Sequence, residues 1–296
     1  MMKSPIKTIA LCSTARFVDQ TVISEAKNWL NINHFNVLLA SNLNLQHHQF
    51  GGDDANRTQA FQELIDNPNI DAIWCLRGGY GTVRIMDNLN WETFIAHPKL
   101  LIGFSDFTIL LNHVLQFNMT SIHAPMPIQF STLEESCKDR LLHILNHKLN
   151  PIIWKTDTWS SDRSVSGKLI GGNLSMLYSF IGSASYPSTD HSILFIEDLD
   201  EYSYHLDRVM YGLLRSGSLN HIKAILVGSF TDIHDHKIPF GESYQDIFSK
   251  FSKHLNIPIY FNFPAGHINN NQPIVLGKHI TISTHNNQSH IMTYDE

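Results

Sequence analysis

Cysteine is scarce in this chain: Cys12, Cys75 and Cys137 are the only three in 296 residues. Their spacing fits no zinc pattern, and an odd count leaves no complete disulfide framework. Cys12 and Cys75 sit in apolar runs, which reads as buried, reduced thiols. Positive charge is also short. Lys and Arg number 21 against 27 Asp and Glu, for a formal charge of −6, and no basic run stands out. A nucleic-acid partner would need a basic face, so that class is excluded. No apolar stretch approaches the roughly 18 residues of a membrane-spanning helix. The apolar run that follows Met1-Met2-Lys3-Ser4-Pro5-Ile6-Lys7 is too short for a secretion signal. The expectation is a soluble cytoplasmic protein with no membrane partner. Internal repeats and low-complexity segments are lacking as well.

What remains is ordinary globular material, 43% hydrophobic and 16% charged, enough for one large domain or two moderate ones. The first half alternates strand and helix patterns. Residues 6–12, 35–40, 70–76, 100–102 and 120–124 read as strands. Residues 19–30 read as a helix, and Asp53 or Asp54 can cap another through Ile65. Helix-like runs also follow Gly81, to about Asn88, and span 107–117. The run at 70–76 is continuously apolar, as in a strand buried on both faces of a parallel sheet. An open, mostly parallel α/β sheet is the economical fold.

Between 150 and 166 the texture turns polar, through Asp157, Ser160, Ser161, Asp162 and Ser164, and a domain boundary belongs there. The expected division is 1–155 and 165–296. In the second half, strands are expected at 192–196, 224–230, 279–283 and 290–294, with helices near 174–181, 204–214 and 244–255. The last strands lie close together, which suggests an antiparallel or barrel-like arrangement.

Four places carry chemistry. Gly103-Phe104-Ser105-Asp106 sits between a short strand and a helix-like run. A serine at such a turn either caps the helix or presents its hydroxyl beside free helix-start amides, as a nucleophile does. Gly103 would let another backbone approach that turn. Glu197 ends the apolar run of residues 193–196 and opens an acidic cluster with Asp198, Asp200 and Glu201. That cluster is either a solvated loop or the holder of a carboxylate that orients a histidine. His267, one of 18 histidines, follows a glycine in a loop between strands. Histidine supplies the near-neutral base a hydroxyl nucleophile needs.

Arg77-Gly78-Gly79-Tyr80-Gly81 follows the strongest central-strand candidate. It is either a plain tight turn or a loop whose amides receive an oxyanion or hold a carboxylate, with Arg77 adding charge. It lacks the spacing of a dinucleotide fingerprint. The close histidine pairs, His47-His48 and His234-Asp235-His236, lack zinc-peptidase spacing and read as surface loops.

Taken together, five blocks resemble the LD-carboxypeptidase family of serine peptidases, in that family's order. They are Cys75-Leu76-Arg77-Gly78-Gly79-Tyr80-Gly81, Gly103-Phe104-Ser105-Asp106-Phe107-Thr108, Gly171-Gly172-Asn173-Leu174, Leu194-Phe195-Ile196-Glu197-Asp198 and Gly266-His267. Departures are Ile268, where the family often has a second glycine, and Cys12-Ser13-Thr14, where it often has Ala-Pro-Ser. Neither touches a triad position; both bear on the rim of the pocket. The resemblance implies a catalytic triad of Ser105, His267 and Glu197. Oxyanion or substrate contacts would come from Asp106, Gly79, Tyr80, Gly81 and Arg77. It implies an N-terminal α/β domain carrying the serine and a smaller C-terminal β-rich domain carrying the other two. No cofactor and no metal are expected. The implied substrate is a cytoplasmic murein tetrapeptide that loses its terminal D-alanine, and the implied assembly is a homodimer. A related branch of the family hydrolyses peptide–nucleotide antibiotics of the microcin type. A non-catalytic binder of acidic peptides is the alternative of a different class.

Overall fold

The computed structural model describes residues 5–156, 160–285 and 289–295. Met1 to Ser4, and Asp157 of the polar boundary stretch, lie outside the described residues. Among the described residues the strands are β1 Thr8–Cys12, β2 Asn36–Leu39, β3 Ala72–Cys75, β4 Leu100–Gly103, β5 Ser121–His123, β6 Ile152–Lys155, β7 Val165–Asn173, β8 Ser192–Leu199, β9 Ala224–Thr231, β10 Ile259–Tyr260, β11 Ile274–Leu276, β12 His279–His285 and β13 Ser289–Tyr294. The α-helices are α1 Gln20–Ile32, α2 Asp54–Asp66, α3 Glu92–Ala96, α4 Thr108–His113, α5 Glu135–Leu145, α6 Leu174–Ser179, α7 Ser203–Arg215 and α8 Tyr244–Leu255.

The strands form two sheets. The first runs β11-β5-β4-β3-β1-β2, parallel throughout its first-half strands, with β11 added antiparallel at one edge. Every residue of β3 is buried, as its continuous apolar sequence requires. Helix α1 turns Ile23, Ala26 and Leu30 inward at helical spacing. Helix α2 starts where Asp53 accepts from the Asn56 amide at 2.8 Å.

The second sheet runs β10-β9-β8-β7-β12-β13-β6. Strands β7 to β10 are parallel, and β12, β13 and β6 continue it antiparallel. The antiparallel pairing of the last strands follows the sequence expectation. No ladder joins β10 to β6 among the described residues, so by its strand pairing the sheet is open. Its two ends nonetheless approach one another: Trp154 Nε1 donates to the Phe261 carbonyl at 3.0 Å, and Ser161 N to the Ile259 carbonyl at 2.9 Å.

Two expected helices are shorter than their sequence pattern. Residues 107–117 break into a 3-10 turn at Ser105–Phe107, α4, and a second turn at Val114–Phe117. Asn112 Nδ2 donates to the Thr108 carbonyl within α4 at 2.8 Å and to Gly171 O of β7 at 2.9 Å. Asn112 Oδ1 accepts from Gly171 N at 3.0 Å. The side chain thus competes with the helical ladder and clamps α4 onto the second sheet. After Gly81, two single 3-10 turns replace the helix-like run, and Asp106 Oδ2 accepts from the Thr82 amide at 2.9 Å.

The Asn112 clamp yields a stability prediction. Asn112→Ala leaves a buried N–H and a buried C=O of Gly171 without these partners, which should cost about 2–4 kcal/mol. Urea unfolding should show a lower midpoint with unchanged slope; an unchanged midpoint would show that the clamp contributes nothing.

Candidate active site

Ser105 stands at the end of β4 with φ of 58°, in the left-handed region that non-glycine residues rarely adopt. Neither the 3-10 turn it opens nor α4 has a side-chain cap. The hydroxyl is therefore not spent on capping, and Asp106 serves Thr82 instead. The expectation that Gly103 admits another backbone needs correcting. What closes on it is side chain: a Cβ there would lie 2.8 Å from the Phe107 ring and 3.2 Å from Cys75 Cβ.

The glycine loop is held from beneath. Arg57 is fully buried, donates to the Gly81 and Thr14 carbonyls, and pairs with Asp54. Thr14 and Thr82 hydroxyls meet at 2.7 Å. Burial raises the Asp106 carboxyl, against the pull of the Thr82 hydrogen bonds. Gly78 of this loop, absent from the individual contacts expected above, lies against the serine. A Cβ on Gly78 would sit 3.3 Å from both Ser105 Cβ and Oγ, so the Gly78–Gly79 peptide borders the hydroxyl. Gly79 and Tyr80 are exposed, and Gly81 is buried beneath them. Arg77 points elsewhere, donating to the Phe17 carbonyl at 3.4 Å.

Glu197 lies in β8 at a register shift between the Ile196–Val227 and Asp198–Phe230 pairings, where it stands opposite two residues of β9, Gly228 and Ser229. It has no exposure, and its Oε2 meets His267 Nδ1 at 2.7 Å. His267 packs against Phe104, the residue before the serine, with ring centroids 4.7 Å apart. No hydrogen bond links His267 to Ser105. Burial favours neutral forms of both partners, but their mutual attraction and hydrogen bond win: Glu197 is lowered and His267 raised from their ordinary values. The loop before His267 is tight. Gly266 has φ of 122°, and a Cβ there would fall 2.9 Å from Glu197 Cβ. Asn271 Oδ1 accepts from Gly266 N at 2.9 Å.

The acidic cluster divides in two. Asp198 is buried and accepts from Asn173 Nδ2 at 2.8 Å and Ser175 Oγ at 2.6 Å. Burial pushes it up to about 6, with the Glu197 charge adding to the rise. Asp200 is exposed beside His234, while Glu201 accepts from Ser175 Oγ. Behind the pair lies His123 of β5, buried between the rings of Phe104 and Phe195 and held down to about 4 by burial. Neutral, it does not compete for the Glu197 charge.

Among the described residues no group of three His, Cys, Asp or Glu is placed to hold a metal. His236 stacks on Tyr202 at 4.8 Å, and His47 packs on His48. Cys12, Cys75 and Cys137 are buried and unbridged. No helix of the described residues is long and apolar enough to cross a membrane.

A two-sheet α/β protein with such a serine turn and a buried carboxylate–imidazole pair has the outline of a hydrolase. Comparison with known proteins makes the class specific. The signature of the LD-carboxypeptidase N-terminal domain matches residues 6–124, and that of the C-terminal domain residues 166–282. The murein tetrapeptide carboxypeptidase of Pseudomonas aeruginosa is 29% identical, covering 91% of this chain and 91% of its own. The crystal structure of the muramoyltetrapeptide carboxypeptidase from Oxalobacter formigenes matches with a TM-score of 0.88 at 25% identity, over 98% of this chain and 99% of that one. The microcin C7 self-immunity protein MccF matches in fold, with a TM-score of 0.84 at 21% identity over 99% and 97%. The chain belongs to the LD-carboxypeptidase family and is a hydrolase.

Glu197 sets the charge state of His267, and this can be tested apart from turnover. In Glu197→Gln the carboxylate's attraction is lost and burial, the largest influence, is opposed only by the smaller pull of Asp198, so the imidazole should titrate below its ordinary value instead of above it. Nitrogen-15 NMR of the His267 ring reads this directly. An unmoved titration would mean that the pair does not govern the histidine.

Proposed function

We propose that this enzyme is a serine carboxypeptidase that cleaves the L,D bond to the terminal D-alanine of a murein tetrapeptide. The observation that carries the reading is the 2.7 Å Glu197–His267 pair packed beside the left-handed Ser105 turn. Support for the substrate comes from the Pseudomonas aeruginosa relative, similar over nearly its whole length. The MccF likeness is one of fold, so the antibiotic-hydrolysing reading stands second.

In this reading His267 takes the proton of Ser105 Oγ as that oxygen attacks the scissile carbonyl. The Glu197 carboxylate fixes the imidazole tautomer and stabilises the imidazolium. Amides of Asp106, at the start of the 3-10 turn, and of Gly79, next to Gly78, receive the oxyanion; one such donor is typically worth about 3 kcal/mol. His267 then gives its proton to the departing D-alanine amine. Water, deprotonated by the same histidine, attacks the acyl-enzyme carbonyl and frees Ser105. The triad joins a first half, 1–155, to a second, 165–296, and the site lies between them. The family resemblance adds that the enzyme works in the cytoplasm, as a homodimer, in wall recycling.

Mass spectrometry of the protein incubated with L-Ala-γ-D-Glu-meso-diaminopimelate-D-Ala should show D-alanine release. The matched peptide ending in L-Ala should stay intact, and Ser105→Ala should lose about 10⁴-fold or more in rate while remaining folded. Undiminished turnover by Ser105→Ala would remove the serine from the mechanism. Release of L-Ala would remove the stereochemical assignment.

A further inference from the structure

Arg16 is a cation with nothing assigned to it. Among the described residues no hydrogen bond or ion pair engages its guanidinium, and its Nε is shut off from solvent without a partner. Other arginines nearby are committed: Arg57 to Thr14, Gly81 and Asp54, Arg77 to Phe17, and Arg84 to Asp54. A desolvated, unpaired N–H is unfavourable and calls for an explanation.

Its location supplies one. Arg16 lies in the loop after β1, and Gly78 and Gly79 lie in the loop after β3. In the order β2-β1-β3-β4-β5, the connections leave β1 and β3 in opposite directions. Open α/β sheets bind ligands at such a switch point, outside the carboxyl ends of the strands. The two loops touch. Gly79 has φ of 113°, and a Cβ on it would lie 2.7 Å from Arg16 Cδ and Nε. On the adjacent Gly78 a Cβ would lie 3.3 Å from Ser105 Oγ. Successive glycines thus carry the arginine stem on one and the serine hydroxyl on the other.

A carboxypeptidase separates a terminal from an internal bond by the free carboxylate, which standard bond lengths place about 4 Å from the scissile carbonyl carbon. A guanidinium matches a carboxylate with two parallel hydrogen bonds. We propose that Arg16 binds the terminal carboxylate of the substrate and so confines the enzyme to chain ends. This rests on the peptidase reading above, and it gives to Arg16 the role that the sequence suggested for Arg77.

The test is binding to Ser105→Ala protein by calorimetry, using the tetrapeptide named above and its C-terminal carboxamide. The acid is expected to bind about 10- to 100-fold more tightly than the amide, the range for charge-assisted hydrogen bonds. Adding Arg16→Gln should abolish that preference, Arg16→Lys should keep part of it, and Arg77→Gln should keep it whole. The Arg16 variants should fold, since no protein group depends on the side chain, and thermal unfolding checks this. Equal binding of acid and amide, binding of neither, or a preference that survives Arg16→Gln overturns the proposal. D-alanine release by the wild type is scored separately. Release together with a surviving preference would leave the peptidase reading intact and remove Arg16 from it.

Discussion

A carboxylate with no exposure to solvent has to be answered by a partner, and at Glu197 the partner is the His267 imidazole. Much of the surrounding structure is explained by that requirement. The register shift between β8 and β9 falls at this carboxylate, and Gly266 lets the histidine loop pass close enough to reach it. Asn271 ties the loop back through the Gly266 amide, and β11 then carries the chain into the first sheet beside β5. His123 sits at that junction, paired in register with Ile274, and fills the space behind the ion pair with a neutral ring.

The serine reaches the same place from the other half of the chain. Asn112 holds α4 against Gly171, while the Thr108 hydroxyl accepts from the Asn173 amide at 3.1 Å. Gly172 is needed there, because a Cβ would stand 2.8 Å from Thr108. Two short contacts, one at α4 and one at β11, therefore set where Ser105 stands relative to His267. The halves exchange strands as well: β6 belongs to the second sheet and β11 to the first. A boundary drawn on composition separates the sequence more cleanly than the sheets themselves are separated.

Much of this was legible because it is written locally. Glycine before Ser105, glycine before His267 and an apolar run before Glu197 are punctuation that single segments carry. The central strands and the capped α2 were readable for the same reason. What escaped notice depends on distant partners. Strand β7 contains Gly167, Gly171 and Gly172, so it does not read as a strand, yet a side chain at Gly171 would strike the Phe195 carbonyl across the sheet. Arg57 looks like an ordinary helix-surface arginine until Gly81 and Thr14 are seen to lie over it. The run at 107–117 has a helical pattern, but its middle is clamped by a bond to β7, 59 residues away, which no local propensity encodes.

The pair of adjacent buried carboxylates shows how the fold separates roles that sequence alone leaves open. Both Glu197 and Asp198 are desolvated, and the Glu197 charge adds to the tendency of Asp198 to hold a proton. Their hydrogen bonds differ. Glu197 faces an imidazole that gains by becoming charged, so its carboxyl stays below the ordinary range. Asp198 faces an amide and a hydroxyl, neutral donors that satisfy it without cancelling its charge, and it rises to about 6. The one held below the ordinary carboxylate range is the one beside His267. Environments that push two neighbouring groups apart in this way mark which of them carries charge for chemistry and which holds structure. Asp198 does the second task, by pinning Asn173 and Ser175 at the start of α6, while Glu197 is left for the histidine.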